Sequence, residues 1–495
     1  TPPPFTATPM LDNGQSNDGA AGDGVFGVIL PPQANGTVTE FYIEARDATG
    51  NTRTWPAAAR QLDGSFAQTA NALFQVDEGV YTGSQPIYRI VMTESERQEL
   101  QNINRYSNAE MNATFITRDG TGTKVRYNVG VRIRGAGSRG AAVPNYRVNV
   151  PRDRPWNERD ELNLNAQYGH AQLAGDTLSL LAGLPASEGR AIQVRVNGAN
   201  LASSGLPQYG SYVLSEVVNA DWAAHHYPAD PNGNAYSARR PNTDLSYLGT
   251  NAQTYKNTGY AKTSNSSEDD WSDLINLTWI LNNAPDSTYA AQVREVANVQ
   301  EWMTYFAMNS LLGNGETSLG SGVGDDYNMY RGLRDPRFLL VAHDWDTILG
   351  QGQGPAGVGA DIFRATAVPV VNRFLKHPEF APLYYQELVR LMDTVMSPAI
   401  LDPLLDQLLS EYVPAGTIAT MKSYAVNRNA YVRTQIPLTL TVNNTLPVVN
   451  GFPQTTSPAV SLSGRANVIE TRSLRVNGLA ATWTAWTGNW TINNV

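Results

Sequence analysis

The sequence predicts an α+β protein, with a mixed central region between two β-rich ends. Three observations lead there. Apolar residues alternate with period two at residues 39–45 and 438–442, the mark of half-buried strands. Residues 87–150 read as further strands. From Asp270 onward the apolar spacing is mostly helical.

Taken in order, residues 24–30 form a short apolar strand after a glycine-rich turn, and residues 39–45 a second strand before the turn at 47–51. About three strands precede Pro56, fewer than the roughly seven of a sandwich. Residues 88–92 and 132–134 are strands, and residues 95–100 a short helix capped by Thr93 or Ser95. Residues 171–182 have helical spacing and stop at Gly183-Leu184-Pro185. Residues 191–196 alternate, Asn197-Gly198 signals a hairpin, and residues 209–214 supply its partner. Residues 299–312 form an amphipathic helix closed by Gly313. Residues 338–342 are an apolar strand inside the helical region. Residues 363–412 give several helices punctuated by Pro369, Pro382, Pro398 and Pro403, and residues 417–432 another. Residues 461–464 and 474–478 are short strands of a small sandwich.

Composition narrows function. The 495 residues allow two to four domains. A formal net charge of -9 carries no electrostatic footprint for nucleic acid and suits anionic membranes poorly. Without cysteine there are no disulfides, thiolate zinc sites or cysteine nucleophiles. No run of about eighteen apolar residues marks a membrane span. The opening Thr1-Pro2-Pro3-Pro4 is neither a translation start nor a signal peptide, so a processed chain or a piece of a larger protein is expected. Abundant Gly, Tyr, Trp, Asn and Thr lean toward a bacterial surface protein.

The densest chemistry lies at residues 324–346. Gly324-Asp325-Asp326-Tyr327-Asn328-Met329-Tyr330-Arg331 precedes the strand at 338–342, and His343-Asp344-Trp345-Asp346 follows it. Carboxylates on either side of a buried strand can converge at one end, and two or three of them suit an oxygen-loving cation such as magnesium. Magnesium so held commonly serves phosphate chemistry. The same aspartates also read as caps of turns and strand ends, and spacing does not choose between the two. Residues 12–24 interleave Asp12, Asp18 and Asp23 with glycines. That loop either wraps a structural calcium ion or is a run of solvated Asx turns. His225-His226, near Asp221, could be read as a metal pair, but neighbours on a strand point opposite ways and there is no HExxH helix, so a surface role is the expectation. Trp483, Trp486 and Trp490 read as packing aromatics rather than a carbohydrate-binding face.

Several segments resemble one family. Residues 131–140 resemble the arginine-glycine-x-x-serine segment of the CotH (spore-coat protein H) kinase family, and Tyr146-Arg147 falls where that family places an aromatic and a basic residue. Residues 162–166, 209–216 and 233–236 resemble its leucine-asparagine strand, its glycine-aromatic-valine-x-x-glutamate segment and its glycine-asparagine-leucine-tyrosine turn. Residues 311–314, 326–331 and 344–346 complete the order, so the resemblance covers residues 86–440.

The resemblance implies an atypical protein kinase of the secretory pathway or cell exterior that uses ATP and magnesium. It implies Asp344 as a metal ligand, with Asp346 beside it, and Asp326 where the family often has a ligating asparagine. The family's catalytic aspartate follows its glycine-asparagine pair. Here Glu316 stands there, before a lengthened loop, and Asp325 is a second candidate base. The family's lysines before the aromatic-basic pair are replaced by Val143-Pro144-Asn145. Arg134, Ser138 and Arg147 are left to hold phosphates. Lys262 matches a lysine-threonine segment, and Glu216 would orient a basic residue. Taken singly, Arg134 and Glu216 also read as strand-end ion pairs.

The expected organisation is a partial β-sandwich of immunoglobulin or fibronectin type at residues 1–80, a kinase-like domain at 86–440, and the start of another sandwich at 441–495. The expected function is transfer of the ATP γ-phosphate to a protein hydroxyl outside the cell. The alternative is a catalytically silent structural or adhesive module whose partners are neighbouring surface-protein subunits.

Overall fold

The computed structural model describes residues 5–495; Thr1-Pro2-Pro3-Pro4 lies outside the described residues. The chain divides into two compact units. One holds the residues up to Glu161 together with Ile192–Leu201, and the other holds Leu162–Ala191 and Ala202–Val495. No helix among the described residues is long and apolar enough to cross a membrane.

The first unit is built on a meander. Ile87–Val91 pairs with Met111–Arg118, which pairs with Thr123–Ile133, which pairs with Tyr146–Asn149. Residues 193–196 run parallel to residues 87–90 on the other side. Helix α1 (Glu94–Asn102) starts at Thr93, whose hydroxyl accepts the N–H of Glu96, and it buries Leu100. Ahead of this sheet, Val38–Phe41 pairs with Ala72–Gln75, Ile43–Arg46 with Thr52–Trp55, and Ala59–Arg60 with Phe66–Ala67. These ribbons are not the two facing sheets of a sandwich. The alternation at 39–45 is divided because the chain changes partner after Phe41. Residues 24–30 make only the bridge from Gly27 to Leu11, and their Val25, Phe26 and Ile29 are exposed rather than stacked in a sheet.

The second unit is mixed. Helices α2 (Gly169–Leu181), α3 (Ala220–His226) and α4 (Ala252–Thr258) precede α5 (Ser272–Asn283), α6 (Asp286–Val296) and α7 (Val299–Leu312). A four-stranded sheet runs in the order Tyr260–Lys262, Asn234–Ala238, Tyr327–Arg331, Leu339–Val341. Helices α8 (Pro369–Leu375), α9 (Ala381–Asp393), α10 (Pro398–Leu409) and α11 (Ala415–Gln435) complete the helical layer. Pro369, Pro382 and Pro398 sit in first turns, where the missing N–H was never needed, whereas Pro403 lies inside α10 instead of ending it. Helix α7 is not amphipathic: every residue except Gln300 is buried, as expected of a helix packed on all sides. Gly313 closes it at φ 64, where glycine carries no Cβ penalty.

The C-terminal segment also departs from a sandwich. Leu462–Arg465, Asn489–Ile492 and Thr482–Thr484 form a three-stranded sheet beside two ribbons of two-residue strands. Residues 438–442 form no strand, and Leu438, Leu440 and Val442 are exposed. Trp490 is buried, and Trp486 packs 5.7 Å from the Phe363 ring, with Lys376 Nζ 4.1 Å from its centroid.

Candidate functional site

Tyr327–Arg331 and Leu339–Val341 are antiparallel, with Asn328 opposite Val341. The residue before the first strand and those after the second therefore meet at one end of the sheet. Asp326 and Asp344 stand there, each at φ 55, in the left-handed region. Asparagine and aspartate tolerate that region best among non-glycine residues, and the conformation is held at a cost of about 1–3 kcal/mol each. One donor atom from each of Asp326, His343 and Asp344 lies within 4.8 Å of the others. His343 is the member that sequence reasoning passed over.

Positive charge faces this cluster. Arg239 Nη1 lies 3.3 Å from Asp326 Oδ1, and the same nitrogen donates to the carbonyls of Ala238 (3.0 Å) and Tyr327 (3.2 Å). Arg240 Nε lies 3.5 Å from Asp325 Oδ2, while its Nη2 donates to the Thr317 hydroxyl at 3.0 Å. Burial raises the Asp325 carboxyl above its ordinary range, against the opposing pull of Thr317 and the two arginines.

A second layer of carboxyls lies behind. Asp346 is held well above the usual carboxylate range, by burial first and then by Asp344 and Glu316, with which its side chain shares a hydrogen bond. Its Oδ1 is buried without a hydrogen-bond partner. Asp176 on α2 is pushed well up by burial, with Asp344 and Glu216 adding like charge. Between the two site aspartates, Trp345 is buried against Gly175 of α2.

The other expected residues are placed elsewhere. Lys262 donates Nζ to the Asp270 carbonyl at 3.0 Å. Glu216 accepts from the Glu188 N–H at 2.8 Å and lies 2.7 Å from His226 Nε2. His225 and His226 occupy the last turn of α3, not a strand. In the first unit, the Ser138 hydroxyl accepts from Asn145 Nδ2 at 3.0 Å, the Arg134 N–H donates to the Asn145 carbonyl at 3.0 Å, and Arg147 pairs with Glu161 at 3.0 Å.

In the 12–24 loop the carboxylates turn onto backbone amides. Asp12 accepts from Gly22 and Gly24, Asp18 from Asn13, Gly14 and Ser16, and Asp23 from Ala20 and Val25. Of these contacts only Asp23–Val25 has the spacing of an Asx turn, whereas Asp12 and Asp18 clamp amides across the loop, and the three carboxylates are not among the metal-type clusters of the described residues.

A family model described as "CotH kinase protein" matches residues 131–434. The chain belongs to the CotH kinase protein family. Inner spore coat protein H of Bacillus subtilis (strain 168) is 22% identical over 308 residues, covering 61% of this chain and 80% of that protein. Among solved structures, the Helicobacter pylori proinflammatory kinase CtkA aligns at 10% identity and a TM-score of 0.30, covering 58% of this CotH-family chain and 93% of that one. The HipA–HipB–operator DNA complex of the Shewanella oneidensis MR-1 toxin–antitoxin system aligns at 10% identity and a TM-score of 0.29, covering 74% and 76%. Overlaps this loose add nothing to the assignment, which rests on the family match.

Proposed function

We propose that this CotH-family chain transfers the γ-phosphate of ATP to a hydroxyl of a protein substrate, as a coat- or surface-associated protein outside the cell. The observation that carries this reading is the convergence of Asp326, His343 and Asp344 on one point at the end of a buried strand pair.

The donor set fits a divalent cation. The oxygens that suit it are the carboxylates of Asp326 and Asp344, with the His343 imidazole beside them, and the nearby buried Asp346 Oδ1 has no hydrogen-bond partner. Asp326 and Asp344 would hold magnesium, with Asp346 as an inner carboxyl. When bound, magnesium neutralises charge on the phosphate oxygens. The chain's own residues do the rest. Glu316 takes the proton of the attacking hydroxyl as the new phosphorus–oxygen bond forms and the bond to ADP breaks. Glu316 is the more accessible of the two candidate bases: it is half-buried, whereas the Asp325 side chain is 8% exposed and faces Arg240. The hydrogen bond with the raised Asp346 carboxyl orients it. Of the nucleotide-binding residues that resemblance to the family implies, Lys262 lies in the same unit as this cluster.

Two points favour the silent-module reading. Arg239 already places a cation on Asp326, and glutamate replaces aspartate at the base position. A thermal-shift titration of the full chain with Mg-ATP separates the two. A ligand at a hundredfold excess over its Kd stabilises by about 2.7 kcal/mol. The enzyme reading expects a shift that Asp344→Asn removes, and phosphotransfer that Glu316→Gln abolishes and Asp325→Asn only lowers. No shift at millimolar Mg-ATP establishes the silent module instead.

A further inference from the structure

A second cluster of metal-type donors lies in the same unit and shares no residue with the first. It is built from α3 and the segments packed on it. The Asn219 side chain accepts the N–H groups of Asp221 (3.0 Å) and Trp222 (3.2 Å), which fixes where α3 starts. The helix then ends on two adjacent imidazoles. Trp222 is buried, donates its indole N–H to the Ala186 carbonyl at 3.2 Å, and packs its ring 4.9 Å from His226. The His225 ring stands perpendicular to that of His226, with centroids 5.0 Å apart.

Two glutamates meet these rings. Glu216 follows the Tyr212–Ser215 strand and sets Oε2 2.7 Å from His226 Nε2. Glu188 sets Oε2 3.3 Å from His225 Nε2. One donor atom from each of Glu216, His225 and His226 lies within 4.8 Å of the other two. In a tetrahedral zinc site with bonds near 2.0–2.1 Å, neighbouring ligand atoms are about 3.3 Å apart. The His225–Glu188 pair matches that edge at 3.3 Å and the His226–Glu216 pair is shorter at 2.7 Å, so side-chain rotations that open the second pair would close the set around an ion.

Exposure grades across the cluster. The Glu216 and His226 side chains are 5% and 13% exposed, His225 and Glu188 42% and 58%. The site has a fixed, buried floor and an open mouth through which an ion can enter. Its chemistry also differs from the first cluster. Two imidazoles with carboxylates are donors for a borderline cation, whereas magnesium and calcium take shells of oxygen.

We propose that Glu216, His225 and His226 bind a dication of the zinc class, with Glu188 as the fourth ligand. The ion would fasten the end of the Tyr212–Ser215 strand and the Glu188 segment to α3.

The test uses the full chain, stripped with a chelator, dialysed, and titrated with Zn2+ against a chromophoric competitor. An Asp344→Asn background removes the contribution of the first cluster. The expected result is one zinc per chain in that background. His225→Ala is a safe probe because the ring is half-exposed, and His226→Gln keeps the bulk beside Trp222. Each should weaken binding by about a hundredfold or more, since loss of even an outer-sphere partner costs about 10–100-fold. Cobalt in place of zinc should give the visible absorption of a tetrahedral centre, lost in both variants. Circular dichroism confirms that the variants are folded. Zinc binding unaffected by His225→Ala and His226→Gln overturns the proposal. So does the absence of binding in the Asp344→Asn background, which leaves a hydrogen-bonded His226–Glu216 pair and a His225–Glu188 ion pair.

Discussion

Gly175 offers a direct way to perturb the site without touching its donors. It lies in the middle of α2, and a Cβ built on it would fall on the Cβ and Cγ of Trp345 and 2.8 Å from Cδ1. Carbon atoms pack at about 3.5–4.0 Å, so Gly175→Ala must drive Trp345 back by about 1 Å. Trp345 is 1% exposed and has little room to yield. Overpacking of this kind costs about 1–3 kcal/mol, against a gain of about 1 kcal/mol from replacing glycine by alanine within a helix. A net loss of up to about 2 kcal/mol is expected by denaturant unfolding. Asp344 and Asp346 flank Trp345 in sequence, so the cation-dependent thermal shift should fall in the same variant. The double variant Gly175→Ala/Trp345→Leu makes room for the methyl group. Its cost should be less than the sum of the single variants by about 1–2 kcal/mol. Single-variant losses that add within about 0.5 kcal/mol would show that the two residues are not in contact, and the reasoning fails.

Other expectations are independent of catalysis. Burial brings His170 down to about 4 from an ordinary 6.5, with a hydrogen bond to Gln351 opposing the shift. The unfolded chain therefore takes up this proton first. The stability contribution is present above pH 6.5 and is lost as pH falls through about 4. It amounts to about 3 kcal/mol in full and about 2 kcal/mol between pH 7 and 5. His170→Gln should show a correspondingly smaller loss over that interval, measured as the difference between the two unfolding curves. Arg428, 0% exposed, donates to the carbonyls of Ser310, Val358 and Ala360. Arg428→Met strands those acceptors and should lower stability by about 3 kcal/mol or more, read from the denaturation midpoint; Arg428→Lys should recover only part.

What the sequence made legible follows from local chemistry. The Thr93 cap of α1, the Gly313 stop of α7 and the prolines opening α8, α9 and α10 are each set by one residue and its immediate neighbours. The placement of Asp326 and Asp344 at one strand end was readable because two short strands joined by a turn leave few geometries. His343 was not, since nothing in its spacing distinguishes a donor from a strand-end residue. Asp176 was hidden for another reason: it sits in an ordinary helical pattern, and only tertiary packing shows that α2 buries its carboxyl beside others. The His225-His226 pair lies on a helix rather than a strand, and Asn219-Ala220-Asp221 carries the local signal for where that helix starts. At both ends, alternation identified extended chain but not partners. Residues 438–442 alternate as a strand would and yet form none.

The position of Arg239 has a consequence for how such a protein can be handled. Because two backbone carbonyls grip the same nitrogen that faces Asp326, the guanidinium is expected to stay in place whether or not a dication is present. The acidic end of the sheet carries its own resident counter-charge. Its aspartates need no ion to remain folded side by side, so chelation should leave this region intact rather than unravel it. An arriving ion, in turn, gains less than the bare charges would offer, because part of their field is already spoken for. If the proposed reading holds, loading at this end of the sheet should be weak and readily reversible, which suits an ion that arrives together with phosphates rather than one held permanently.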